Sequence, residues 1–162
     1  MSDKTIEITT NSAAETIELG RKMGEALTGG EVFALIGNLG TGKTHLIKGI
    51  AAGLGADESD GVSSPTFVIV NEYFGREGVI HIYHIDAYRM ESVAEFQSLG
   101  FDEYCRPDSV VLVEWADKVL AAVEGFDPIT VGLEHISENQ RKIAIDNVPE
   151  DIAQALRSKD SI

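Results

Sequence analysis

Eight consecutive residues, Gly37-Asn38-Leu39-Gly40-Thr41-Gly42-Lys43-Thr44, fit the spacing G-x-x-x-x-G-K-[ST]. Glycines in this pattern let successive backbone N–H groups turn towards one point and cradle phosphate oxygens. A helix starting directly afterwards aims its positive end at the same anion. In such a P-loop, Lys43 reaches the β- and γ-phosphates of a nucleoside triphosphate, and the Thr44 hydroxyl binds Mg²⁺. Gly37 to Thr44 are therefore candidate nucleotide contacts, with Lys43 also a candidate catalytic cation. A Mg²⁺-nucleotide site needs a carboxylate as well, and two are suitably placed. Asp86 follows the aliphatic run Val79–Ile85, and Glu114 follows Val110–Val113. Either acid suits a Mg²⁺ ligand or a water-polarising base. Either also suits a solvated strand end, and the spacing does not choose between them.

Smaller signals surround these. Ser64-Pro65-Thr66 lies between the P-loop and the next strand, where a hydroxyl could sense the γ-phosphate in a switch-like loop. The same residues also suit an ordinary turn entering a strand. His81 and His84 are three apart on a predicted strand, hence on opposite faces and unable to share a metal. His84 and Asp86 share a face, so His84 can line the site. Trp115, the sole tryptophan, adjoins Glu114 and is either a core residue or a candidate stacking surface for the nucleotide or a partner.

Absences narrow the chemistry. No N-K-x-D tetrapeptide is present, which favours ATP over GTP, and no arginine-rich segment resembles the lid of a small-molecule kinase. The 13 Lys and Arg against 27 Asp and Glu leave a net charge of −14, unfavourable for docking on phosphate backbones or anionic lipid. A local basic cluster could escape that argument only by assembling from distant residues such as Lys48, Arg89 and Arg106. The single Cys105 excludes an internal disulfide framework and suits a reducing compartment. The polar N-terminus and the shortness of the longest aliphatic run lead us to expect a soluble, cytoplasmic protein without membrane association.

The elements that must position these residues follow from periodicity. Lys4–Thr9 reads as a short strand, then Asn11 or Ser12 caps a helix that stops at Thr28-Gly29-Gly30. The unbroken apolar run Val32–Ile36 marks a strand buried on both faces of a parallel sheet. The P-loop helix starts near Lys43 and ends near Gly53 and Gly55. Phe67–Tyr73 and Val79–Ile85, separated by five residues with two glycines, predict an antiparallel hairpin. Glu91–Leu99 reads as a helix, Val110–Val113 as a core strand, and Asp117–Val123 as a helical turn or two. Ile129–Ile136 and Arg141–Val148 form a second hairpin, and Asp151–Arg157 a closing helix. The expected fold class is α/β, a P-loop NTPase-like mixed β-sheet with flanking helices and antiparallel hairpins, in one domain spanning residues 1–162.

Assembled in order, the motifs resemble the TsaE (YjeE) family, the ATPase component of bacterial tRNA threonylcarbamoyladenosine synthesis. The matching residues are Gly37–Thr44 as G-x-L-G-x-G-K-T, Ser64-Pro65-Thr66, His84–Arg89 as H-x-D-x-Y-R, Leu99-Gly100 and Val113-Glu114-Trp115 as V-E-W. The resemblance implies slow hydrolysis of Mg-ATP in the service of two partners, TsaD-like and TsaB-like proteins, with tRNA reached only through them. It also implies that Thr44 and Glu114 hold Mg²⁺, that Asp86 supports hydrolysis, and that Ser64–Thr66 belongs to a switch-like loop. An adenine contact from the C-terminal hairpin would fall near Arg141, and an N-terminal contact near Ser12. The rival readings are a nucleotide-gated binding module with incidental hydrolysis and a small-molecule kinase.

Overall fold

The structure is a computed structural model that describes residues 5–37, 42–56 and 70–157. Asn38, Leu39, Gly40 and Thr41 of the P-loop, and Ser64, Pro65 and Thr66, lie outside the described residues. The described strands form a seven-stranded sheet in the order β1-β7-β6-β2-β5-β4-β3. These are β1 (Thr5–Thr10), β2 (Val32–Ile36), β3 (Val70–Gly75), β4 (Ile80–Asp86), β5 (Ser109–Glu114), β6 (Ile129–His135) and β7 (Arg141–Asp146). The central strand β2 runs parallel to both β5 and β6, and β4 runs parallel to β5. The pairs β3–β4, β6–β7 and β1–β7 are antiparallel. The sheet is mixed as expected, parallel in the middle and antiparallel at both margins.

One face carries α1 (Ala13–Glu25), α2 (Lys43–Gly53) and α6 (Glu150–Arg157). Leu19, Met23, Leu46, Ile47 and Ile50 bury there against Phe33, Leu35, Ile82 and Leu112. The helices α1 and α2 meet backbone to backbone. A Cβ at Gly49 would strike the carbonyl oxygen of Ile17, and one at Gly20 the carbonyl oxygen of Leu46. Only glycine permits that approach, which fixes the P-loop helix against a second helix without intervening side chains. The other face carries α3 (Val93–Gln97), α4 (Phe101–Tyr104) and α5 (Leu120–Val123), packed through Phe96, Phe101 and Val123 onto Ile85, Val111 and Val113.

Boundaries shift by a few residues from expectation, for local reasons. Ser12 caps α1 by accepting the Glu15 N–H at 3.1 Å. Ser92 caps α3 in the same way through the Glu95 N–H, so that helix begins at Val93 rather than Glu91. The short helix α4 is an addition. Gly100 turns the chain in the left-handed region (φ 76°), and Phe101 then docks on Phe96 with ring centroids 4.9 Å apart. No helix among the described residues is long and apolar enough to cross a membrane.

Candidate functional site

Strand alternation decides which side chains meet the P-loop helix. Ile82 and Leu112 bury under α1 and α2. Four residues beyond Ile82 and two beyond Leu112, Asp86 on β4 and Glu114 on β5 therefore project from the same face, and they are direct partners in the parallel register. The backbone closes this end of the sheet: the Ala87 N–H donates to the Glu114 carbonyl at 3.0 Å. Two carboxylates thus stand side by side where the strands finish, opposite the start of α2.

That start is built around Gly42, which caps α2 at φ 98° and ψ 15°, a conformation that favours glycine. Lys43 follows immediately and is only 6% exposed. Its Nζ donates to the Gly37 carbonyl and lies 3.7 Å from the centroid of the Trp115 ring. Burial lowers the Lys43 pKa, and the charges of Glu114, Asp117 and Asp86 partly restore it. Thr44, half-buried in the first turn, follows on the same helix.

The Asp86 carboxyl is pushed above its ordinary value, first by burial and further by the charge of Glu114. The Tyr88 N–H, which donates to Asp86 Oδ1 at 2.9 Å, pulls the other way. Glu114 is 3% exposed, and the fully buried His84 lies with Nε2 2.5 Å from its Oε2. Trp115 sits at φ 58° and ψ 37°, an uncommon conformation for a bulky residue. The bend it makes at the end of β5 brings its ring over Lys43, with the Tyr88 ring centroid 4.8 Å from its own. Lys118 donates to the Tyr88 carbonyl and lies over the Tyr88 ring.

The structure therefore brings Gly37, Gly42, Lys43, Thr44, Asp86, Glu114 and Trp115 to one end of the sheet. Tyr88, the tyrosine of the H-x-D-x-Y-R match, joins them, as do Asp117 and Lys118, to which sequence reasoning gave no role at the site. Their signal is positional: each lies within four residues of a strand-end acid. Arg141 takes another course, its guanidinium donating to the carbonyls of Ser137, Glu138 and Gln140 in its own hairpin turn. Among the described residues, no group of three or more His, Cys, Asp and Glu is arranged as a metal cage. Mg²⁺ does not need one, since it is commonly held by one or two carboxylates with waters and substrate phosphates. Two adjacent, partly desolvated carboxylates, with a threonine in the first turn of α2, offer hard oxygen donors of the kind that suit such an ion.

The family model described as "Threonylcarbamoyl adenosine biosynthesis protein TsaE" matches residues 10–143. The chain belongs to the TsaE family. Curated family members named "tRNA threonylcarbamoyladenosine biosynthesis protein TsaE" are similar along most of their length. The Bacillus subtilis protein is 38% identical over 136 residues, covering 82% of each chain. The Treponema pallidum protein is 34% identical over 134 residues, covering 83% of this chain and 95% of that one. Among solved structures, the crystal structure of Bacillus subtilis YdiB superposes with a TM-score of 0.69 at 29% identity, covering 96% of this chain and 93% of that one. The fold is that of a P-loop NTPase, and the candidate acids, the P-loop and Trp115 all lie inside the matched residues.

Proposed function

We propose that this chain is a single-domain cytoplasmic ATPase that binds Mg-ATP at the α2 end of the sheet and hydrolyses it slowly. In this reading hydrolysis serves the threonylcarbamoyladenosine modification of tRNA. One observation carries the proposal. A buried lysine at the N-terminus of a glycine-capped helix faces two carboxylates held in register on neighbouring strands. Lys43 is a cation poorly compensated in a low-dielectric pocket, and a triphosphate offers the charge that would stabilise it.

The roles follow from position. Gly37 to Thr44, with the N-terminus of α2, bind the phosphates, and Lys43 exchanges the Gly37 carbonyl for phosphate oxygens. Thr44, Glu114 and Asp86 would hold Mg²⁺, which would supply positive charge to offset the negative charge that builds up during transfer. Asp86, with its raised pKa, is suited to orient the attacking water and draw on its proton. A cleft of about 330 Å³ adjoins Gly37 and Trp115. Its floor includes Gly132 and Ala144, paired across β6 and β7, which leave space for the nucleoside end of the ligand. Ser64, Pro65 and Thr66 complete the reading as a switch-like loop. The names of the relatives support the pathway, and in it the chain works through TsaD-like and TsaB-like partners that contact the tRNA.

The test is single-turnover hydrolysis with Asp86→Asn and Glu114→Gln. Each substitution keeps size and removes charge, so ATP should still bind while Mg²⁺-dependent hydrolysis falls roughly 100-fold or more. Wild-type rates in both variants would reduce these carboxylates to strand-end residues.

A further inference from the structure

His84 has no direct task in the reading above, yet it is built into the site. It is fully buried on β4, two residues before Asp86 and on the same face. Nε2 lies 2.5 Å from Glu114 Oε2, while Nδ1 has no hydrogen-bond partner among the described residues. An imidazole is an expensive way to fill an apolar space, because an orphaned buried nitrogen carries a desolvation cost that a leucine would avoid. What the ring adds is direction. A proton on Nδ1 would be buried without an acceptor, whereas a proton on Nε2 is shared with a carboxylate, so the geometry assigns the proton to Nε2.

Glu114 needs that direction. Its side chain has three rotatable bonds, and the next residue, Trp115, turns the backbone away through a left-handed conformation. A hydrogen bond from below selects one carboxylate orientation out of several and removes entropy that metal binding would otherwise have to overcome. We propose that His84 is a positioning residue: its Nε2–H donates to Glu114 Oε2 and holds that carboxylate in one orientation beside Asp86. This rests on the Mg-ATP reading for its functional consequence, although the hydrogen bond itself does not.

Two measurements test it. In metal-free protein, NMR should show a slowly exchanging, downfield Nε2–H proton on His84 that moves upfield in Glu114→Gln. A His84 proton on Nδ1, or one insensitive to Glu114→Gln, would overturn the assignment. The second is equilibrium binding of a fluorescent ATP analogue at varied Mg²⁺. His84→Leu should raise the Mg²⁺ midpoint about 10- to 100-fold, the usual effect of losing a partner that orients a ligating side chain. Affinity for the analogue without Mg²⁺ should stay unchanged. His84→Gln, which replaces the Nε2 donor with an amide, should recover most of the loss and serves as the folded control if the leucine variant is unstable. In a Glu114→Gln background, His84→Leu should add nothing further. An unshifted midpoint in His84→Leu, no rescue by glutamine, or a full additional loss in the double variant would overturn the proposal. Failure of the unmodified chain to respond to Mg²⁺ would instead remove the Mg-ATP reading, together with this consequence of it.

Discussion

The two ends of the sheet each carry a cleft of about 330 Å³. One opens beside Gly37, Trp115 and Asp117, where β2 and β5 finish. The other opens beside Gly30, Asp127 and Asn147, at the opposite end of β2. Volume does not separate them, but the state of their polar groups does. Polar groups at both ends find partners within the chain, and at the second end Asn147 Nδ2 donates to Asp127 Oδ1 at 2.9 Å and to the Pro128 carbonyl at 3.1 Å. Nearby, Arg106 donates to the Tyr83 hydroxyl, and the Ser109 hydroxyl to the Tyr104 carbonyl. Titration is perturbed at both ends in the same sense, because burial favours the neutral form of each group. Burial drives the Tyr83 hydroxyl up and the Cys105 thiol up to about 11, which keeps both groups protonated and inert. Burial lowers Lys43 and raises Asp86, which moves both towards neutrality, where proton transfer and charge exchange are easiest. Burial shifts both sets of groups, and only one set ends up suited to chemistry.

The comparison is broken most directly by Lys43→Ala. Losing a charged hydrogen-bond donor to phosphate is worth up to about 3 kcal/mol, so nucleotide affinity should fall roughly 100-fold. Thermal stability should hold or rise, because a buried cation has been removed. Near-parental affinity in a titration with a fluorescent ATP analogue would count against the P-loop argument. The matched change at the other end is Asn147→Ala. Asn147 adopts φ 59°, where a side-chain amide is tolerated better than a methyl, and it makes the hydrogen bonds to Asp127 and Pro128. Its loss should cost about 1–2 kcal/mol, a fall in Tm of roughly 2–8 °C for a chain of this size, with nucleotide affinity unmoved. An affinity change there would mean that the second end is also part of the site.

Much of this was legible in the sequence. The aliphatic run Val32–Ile36 identified the central strand because burial on both faces leaves no alternation, and the two hairpins followed from their glycine and polar connections. The P-loop and the acids ending β4 and β5 needed only strand–loop order. What stayed hidden depends on three dimensions. Asp86 and Glu114 lie 28 positions apart, and their pairing is a consequence of register between strands. The contact of Lys43 with Trp115 requires the left-handed turn at Trp115, which no propensity suggests for a tryptophan. The close seam of α1 on α2 needs Gly20 and Gly24 to face Gly49 and Gly53, a match between two helices that the pattern of neither one carries.

Asp86→Asn sharpens the comparison by separating stability from chemistry. Because the folded pKa is raised, the protonated form is the one favoured by the fold. The stability contributed by this group is fully present below the ordinary carboxyl value of 3.8 and is lost as pH rises through the raised value. At pH 7 the parent bears the whole penalty and the asparagine variant none, while the asparagine oxygen can still accept the Tyr88 N–H. In metal-free buffer Asp86→Asn should therefore melt above the parent at pH 7, with the gap closing as pH falls towards 3.8, although hydrolysis is impaired. A variant less stable than the parent at pH 7 would show that the carboxylate is held for the fold.

The smallest expected effect is a null result, and it also turns on the two ends. Neutralising several phosphates requires cations free to gather on one surface. Here many of the exposed cations already face acids: Arg21 pairs with Glu18 and Glu25, Lys142 with Glu7 at 3.7 Å, and Arg157 with Glu150 at 3.3 Å. The remaining route was a cluster of Lys48, Arg89 and Arg106, and the topology separates it. Arg89 follows the end of β4, whereas Arg106 precedes β5, which runs parallel to β4. The length of one such strand, about 20 Å, lies between the two positions. Arg106 is moreover engaged with Tyr83, and its Nε lies 3.6 Å from Asp108. The isolated chain should show no measurable tRNA binding at physiological salt in a filter-binding titration. Micromolar, salt-sensitive binding without partners would mean that a basic surface forms despite this separation and despite a net charge of −14.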